Sequence, residues 1–100
     1  MIKTYKLSPA AIGSIAEIVA YNDEAFGVNQ TAAYIAGLES SFELIVKFPG
    51  TGVAAFEVKA GLRRYRYQSH YILYTEQRAH IRIEDIFHVR RKIRSDLFDT

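Results

Sequence analysis

The sequence predicts an α+β fold: an N-terminal strand, an antiparallel two-helix hairpin, then a three-stranded antiparallel sheet (β-α-α-β-β-β). Three observations carry this. Apolar residues recur at helical spacing up to about residue 48 and at a period of two from Gly61 onward. Gly27 divides the helical stretch. Ser8-Pro9 and Phe48-Pro49-Gly50 bracket it with a start and a stop. One hundred residues suffice for one domain over residues 1–100 and not for two.

The elements follow in order. Lys3-Thr4-Tyr5-Lys6-Leu7 alternates as a short strand. Ser8 is placed to cap the first helix, with Pro9 at the first helical position, where its missing N–H costs nothing. Ile12, Ile15, Ala16 and Val19 then form an apolar face, and the helix runs to Phe26 with Gly27 as a positive-φ stop. The second helix opens at Val28-Asn29. Thr31, Ile35, Leu38, Phe42 and Ile45 form its seam, at steps of four and three that suit a neighbouring helix. With one residue between them, the helices fold back as a hairpin. Pro49 forces Phe48 out of the helical region and ends the second helix.

Leu62–Tyr67, His70–Thr75 and His80–His88 read as strands, and the N-terminal strand is expected at an edge of their sheet. Val53–Ala60 reads either as the start of a strand or as a loop crossing the sheet. Pairing Tyr67 with His70 sets Tyr65 opposite Ile72 and Arg63 opposite Tyr74. Pairing Thr75 with His80 sets Tyr74 opposite Ile81 and Ile72 opposite Ile83. Both pairings gather Tyr65, Ile72, Tyr74, Ile81 and Ile83 on one side, whereas a slip of one residue scatters them. That side is expected to meet the helices, giving a core of Ile12, Ile15, Val19, Ile35, Leu38, Phe42, Ile45, Tyr65, Ile72, Tyr74, Ile81 and Ile83. The other side carries Leu62, Arg64, Arg66, Tyr71, Leu73, Arg82 and Glu84. Such a mixture of aliphatic, aromatic and arginine groups suits partner binding. Glu84-Asp85 breaks the alternation, and a bulge there returns Ile86 and His88 to the core side.

Composition removes several function classes. There is no Cys, so no disulfide or thiolate metal site. His70, His80 and His88 form no close ligand pair in sequence, and no metal or other cofactor is expected. Gly50-Thr51-Gly52 follows a helix and reads as a turn, not a phosphate loop. No apolar run is long enough to span a membrane, and the N-terminal residues lack a signal core, so a cytoplasmic chain is expected. The net charge of +2 is unevenly placed: residues 1–58 carry −3 and residues 59–100 carry +5, with eight arginines among the ten cations of the second part. Arginine suits bidentate recognition of carboxylate or phosphate, so an acidic partner is expected.

The ordered set Leu7-Ser8-Pro9-Ala10-Ala11, Phe26-Gly27, Pro49, Gly52, Gly61-Leu62-Arg63-Arg64-Tyr65-Arg66-Tyr67, His70-Tyr71-Ile72-Leu73-Tyr74 and Ile81 to Arg90, ending in Ile-x-x-Ile-x-His-x-Arg, resembles the ParE/RelE superfamily of toxin–antitoxin toxins. It is most similar to the ParE branch. That resemblance implies a toxin that poisons DNA gyrase and blocks replication. It also implies a ParD-type antitoxin whose C-terminal segment wraps the toxin in a hetero-oligomer. On this reading Leu62, Tyr71 and Leu73 take apolar antitoxin anchors and Arg64, Arg66 and Arg82 take its carboxylates. His88, Arg90, Arg91 and Arg94 are expected to meet the target. Arg91-Lys92-Ile93-Arg94 stands where the family usually has an Asp shortly after His-x-Arg.

Two other classes compete. The RelE branch cuts mRNA on the ribosome, which needs a base, a phosphate clamp and an acid. Here Glu57 or Glu43, Arg63 and His88 are the candidates for those roles. RelE-type members, however, typically carry more Lys and Arg around the site than this chain does. Alternatively, Tyr65, Tyr67 and Tyr71 interleave with Arg63, Arg64 and Arg66 like a nucleic-acid stacking surface. The register turns Tyr65 and Tyr67 inward, so direct nucleic-acid binding by the chain alone is not expected.

Overall fold

The computed structural model describes residues 4–90. Strand β1 (Tyr5–Leu7) leads into helix α1 (Pro9–Phe26) and helix α2 (Val28–Lys47). A short 3-10 turn (Pro49–Thr51) then precedes β2 (Val53–Ala54), β3 (Leu62–Tyr67), β4 (His70–Glu76) and β5 (Ile81–His88). The sheet has five strands in the order β1-β5-β4-β3-β2, not the three expected. β1 joins at one edge, parallel to β5, while the other neighbours are antiparallel. The segment after Gly52 takes both forms left open by the sequence. Val53 and Ala54 pair with Arg64 and Arg63, and Ala55–Ala60 then crosses the sheet.

Local chemistry sets the helix ends. Ser8 is extended (φ −70°, ψ 162°), and its Oγ accepts the Ala11 N–H at 3.0 Å. The same hydroxyl donates to the Glu84 carbonyl at 2.6 Å, so one side chain caps α1 and ties it to β5. Gly27, at φ 91° and ψ 161°, is the whole connection between the helices. A side chain is strained at that φ, which is why glycine stands there. Phe48 leaves the helix at φ −133°, as the following proline requires.

The β3–β4 register is the one expected, with Tyr67 opposite His70 and Arg63 opposite Tyr74. β4 and β5 pair two residues away from the expected register: Glu76 faces Ile81 and Tyr74 faces Ile83. A slip of two keeps every side chain on its own face, so the sorting into faces survives while the partners change. The ladder shifts between Leu73 and Tyr74, where Glu84 is the extra residue opposite them. Beyond it Ile72 faces Ile86 and His70 faces His88, the return to the helix side expected of a bulge.

The main core lies between sheet and helices and holds Ala11, Ile18, Leu38, Phe42, Ile45, Ile72, Tyr74, Ile81, Ile83 and Ile86. Ile15, Ile35 and Tyr65 pack at its edge. Helix α1 is turned from the expected face. Ala11 and Ile18 are buried, Val19 is half-buried, and Ile12 is 57% exposed. Ser8 fixes this rotation, because its bond to Glu84 sets the angle at which the first turn meets β5.

Candidate functional site

The sheet face away from the helices presents Arg64, Arg66 and Arg82 at the surface and Tyr71 half-buried. The Arg64 guanidinium lies over the Tyr71 ring at 5.2 Å. Arg66 Nε donates to the Gln68 carbonyl at 3.0 Å, which steadies a two-residue turn whose Gln68 sits at φ 52°. Arg82 Nε donates to Glu84 Oε1 at 3.2 Å, and Lys59 Nζ lies 3.6 Å from the same oxygen. Thr75 donates to Glu84 Oε2 at 2.7 Å. Glu84 is thus a buried carboxylate satisfied by three groups, and it pins the Ala55–Ala60 crossing to the sheet.

That crossing corrects the expected anchor set. Leu62 and Leu73 are fully buried, packed with Ala55, Val58 and Phe87 in a second, smaller core. They hold the crossing segment in place and are not part of the exposed surface. The alternation of β3 and β4 could not reveal this, because an outward residue under a loop has the same periodicity as one facing water. Of the six residues expected to meet the antitoxin, Arg64, Arg66, Tyr71 and Arg82 remain at the surface.

On the helix side, a groove of about 820 Å³ opens between the hairpin and the end of the sheet. Ile18, Tyr21 and Phe26 form its hairpin wall, and Tyr67, His70 and His88 its sheet wall. Tyr34 Oη lies 2.6 Å from His70 Nδ1, and Tyr67 Oη donates to the Tyr34 carbonyl at 2.9 Å. Burial holds the His70 pKa below the ordinary value, and His88 pushes the same way. Burial raises Tyr34 and Tyr67; for Tyr34 a backbone bond from Ser69 opposes the shift. The sequence did not single out this cluster. Tyr34 and His70 are 36 residues apart, and the bulge that brings His88 beside His70 sets which histidines meet.

The RNA-cleavage set is not brought together. Arg63 shares a row with Tyr74 and Ile83, whereas His88 shares one with His70 and Tyr67. Four residues along the strands and two strands across separate them by about 16 Å. The Arg63 guanidinium donates to the Gly52 carbonyl at 2.9 Å and lies 5.5 Å from the Phe56 ring. Glu57 is exposed on the crossing segment, on the opposite side of the sheet from the helices. His88 is exposed, and its Nδ1 accepts the Arg90 N–H at 3.1 Å. Arg91 and Arg94 lie outside the described residues. Among the described residues, no group of three or more His, Cys, Asp or Glu could hold a metal, and no helix is long and apolar enough to cross a membrane.

Residues 5–93 match the family model described as the ParE toxin of the type II toxin–antitoxin system parDE. The chain is 34% identical over 85 residues to Toxin ParE1 of Caulobacter vibrioides, covering 85% of each protein. It also shares its fold with a chain of the chromosomal ParDE TA system from P. aeruginosa. The TM-score is 0.77 at 12% identity, over 90% of this chain and 98% of that one.

Proposed function

Since the chain belongs to the ParE toxin family of type II toxin–antitoxin systems, we propose that it blocks replication by binding DNA gyrase. A ParD-type antitoxin neutralises it within a hetero-oligomer, in the cytoplasm where replication takes place. The observation that carries this reading is the match to a curated ParE toxin at 34% identity across most of both chains. The surface supports it. Arg64, Arg66, Tyr71 and Arg82 make a cationic, partly aromatic patch suited to the carboxylates and apolar anchors of an antitoxin segment. His88 and Arg90, exposed where β5 leads into the C-terminal residues, are the described members of the surface we assign to the target.

The toxin acts by binding rather than turnover. Gyrase supplies the strand cleavage, and the toxin holds the cleaved complex. The wide separation of Arg63 and His88 supports this over RNA cleavage. The test is expression without antitoxin, together with purified toxin added to gyrase and supercoiled plasmid. Linearised plasmid that depends on gyrase is the expected result. Codon-dependent mRNA fragments with intact DNA would replace this reading with the RelE-type one.

A further inference from the structure

The groove differs in charge from the arginine face. Glu17 of α1 lines it, and among the described residues no Lys or Arg does. Its two imidazoles bring no positive charge at neutral pH. Burial lowers the His70 pKa, and His88 Nδ1 is unprotonated because it accepts the Arg90 N–H. Glu17 is exposed and makes no ion pair with any described residue. Aromatic rings stand beside it. Tyr21 lies one turn further along the same face of α1, and its ring meets that of Phe26 edge to face at 6.3 Å. These two residues are 67% and 56% exposed. Tyr67, its ring 5.0 Å from Tyr34, stands on the sheet wall. A carboxylate beside exposed π faces, with no cation competing for it, is the chemistry that receives a guanidinium or an ammonium group. A phosphate or a second carboxylate is repelled, since nothing in the lining neutralises Glu17.

The hairpin as a whole points the same way. Helices α1 and α2 hold Glu17, Asp23, Glu24, Glu39 and Glu43 against Lys47, so the field on this side of the molecule is negative. The groove is also continuous with the arginine patch. Gln68 and Ser69 line it, and the Gln68 carbonyl accepts Arg66 Nε. A segment laid along Arg64 and Arg66 enters the groove by crossing that two-residue turn. We propose that the antitoxin segment does so and seats an arginine or lysine side chain in the groove, its charge on Glu17 and its stem against Tyr21 and Phe26. This rests on the antitoxin reading above. It makes the segment change sign along its length, with carboxylates for the outer face and a cation beyond the turn. Arginine fits better than lysine, because a guanidinium pairs with a carboxylate and stacks on a ring at once. The site also explains neutralisation, since a segment seated in the groove covers His88, part of the surface assigned to the target.

The experiment titrates the full-length toxin with its co-encoded antitoxin by calorimetry. Glu17→Gln is expected to weaken binding about threefold and Glu17→Lys about tenfold. Glu39→Lys, the same charge change on the same hairpin but outside the groove, is expected to stay within about twofold of wild type. Tyr21→Leu keeps an apolar wall and removes the π face, for an expected loss of about threefold. All three side chains are exposed, and circular dichroism checks that the variants fold. Each Lys and Arg of the antitoxin's toxin-binding segment is then changed in turn to Glu. One of these antitoxins is expected to bind the Glu17→Lys toxin about tenfold more tightly than it binds wild type. Equal losses for Glu17→Lys and Glu39→Lys, or no antitoxin variant that prefers the Glu17→Lys toxin, overturn the cation site and leave the antitoxin reading standing. Unchanged antitoxin affinity with toxicity lost in Glu17→Lys gives the groove to the target and overturns the proposal equally. No binding of the antitoxin by the wild-type toxin removes the antitoxin reading itself.

Discussion

Tyr74 shows how much one side chain can hold. It is fully buried in β4, yet its hydroxyl donates to the Pro49 carbonyl at 2.7 Å and accepts the Gly52 N–H at 2.8 Å. Burial raises its pKa, with the Gly52 bond and Arg63 opposing the shift. Tyr74→Phe leaves a carbonyl and an amide without their partner at the cost of one oxygen. The expected loss is about 1–3 kcal/mol of unfolding free energy, read by urea denaturation, and a melting temperature lower by several degrees. The sequence placed Tyr74 in the core correctly from its alternation with Ile72. It could not show that the ring also anchors the exit of α2, because that needs the turn at Pro49 folded back over the sheet. The same limit applied to Leu62 and Leu73, outward by parity yet sealed by a crossing whose fate the sequence left open.

At the scale of elements, the hairpin and the sheet meet through side chains that leave little room. A Cβ on Gly37 would overlap the Tyr67 hydroxyl and come within 2.7 Å of its Cζ. Tyr67 could then no longer hold its tilted ring contact with Tyr34 at 5.0 Å or reach its carbonyl. Gly37→Ala is therefore expected to destabilise, the lost contacts of about 1–3 kcal/mol outweighing a helix-propensity gain of about 1 kcal/mol. Gly13, with nothing within 4 Å of the corresponding position, is the control. Gly13→Ala is expected to stabilise by about 0.5–1 kcal/mol, and chemical denaturation of the two variants compares them directly. Helix limits, caps and the bulge were all legible, because each rests on local chemistry at Ser8, Gly27, Pro49 and Glu84-Asp85. The rotation of α1 and the two-residue shift of β4 against β5 were not. Ser8 binds the carbonyl of a residue in the last described strand, and a slip of two leaves the face pattern unchanged.

For the whole molecule, the charge asymmetry of the sequence becomes a separation in space. Helices α1 and α2 carry Glu17, Asp23, Glu24, Glu39 and Glu43 against Lys47, while the far side of the sheet presents Arg64, Arg66 and Arg82. Such a layout steers an acidic segment toward the sheet and away from the helices. Replacing Arg64 and Arg66 together with Glu is expected to weaken antitoxin binding and flatten the salt dependence of its association rate. Unchanged affinity in a titration would take the outer face out of the interface. This surface was legible as a cluster of arginines at alternate positions. The pairing of His70 with His88 was not, since the two meet only once the bulge has set their row.

The pairing of β1 with β5 also bears on when the protein becomes itself. Ser8 and Glu84 are 76 residues apart, and among the described residues the N-terminal strand has no other neighbour in the sheet. At ordinary elongation speeds about 4–15 s pass between their syntheses. Once Lys47 has been added, the nascent chain carries a hairpin that still lacks the strand to which Ser8 is tied. Toxicity therefore arrives late in translation, and an inhibitor already present in the cell has seconds in which to be waiting.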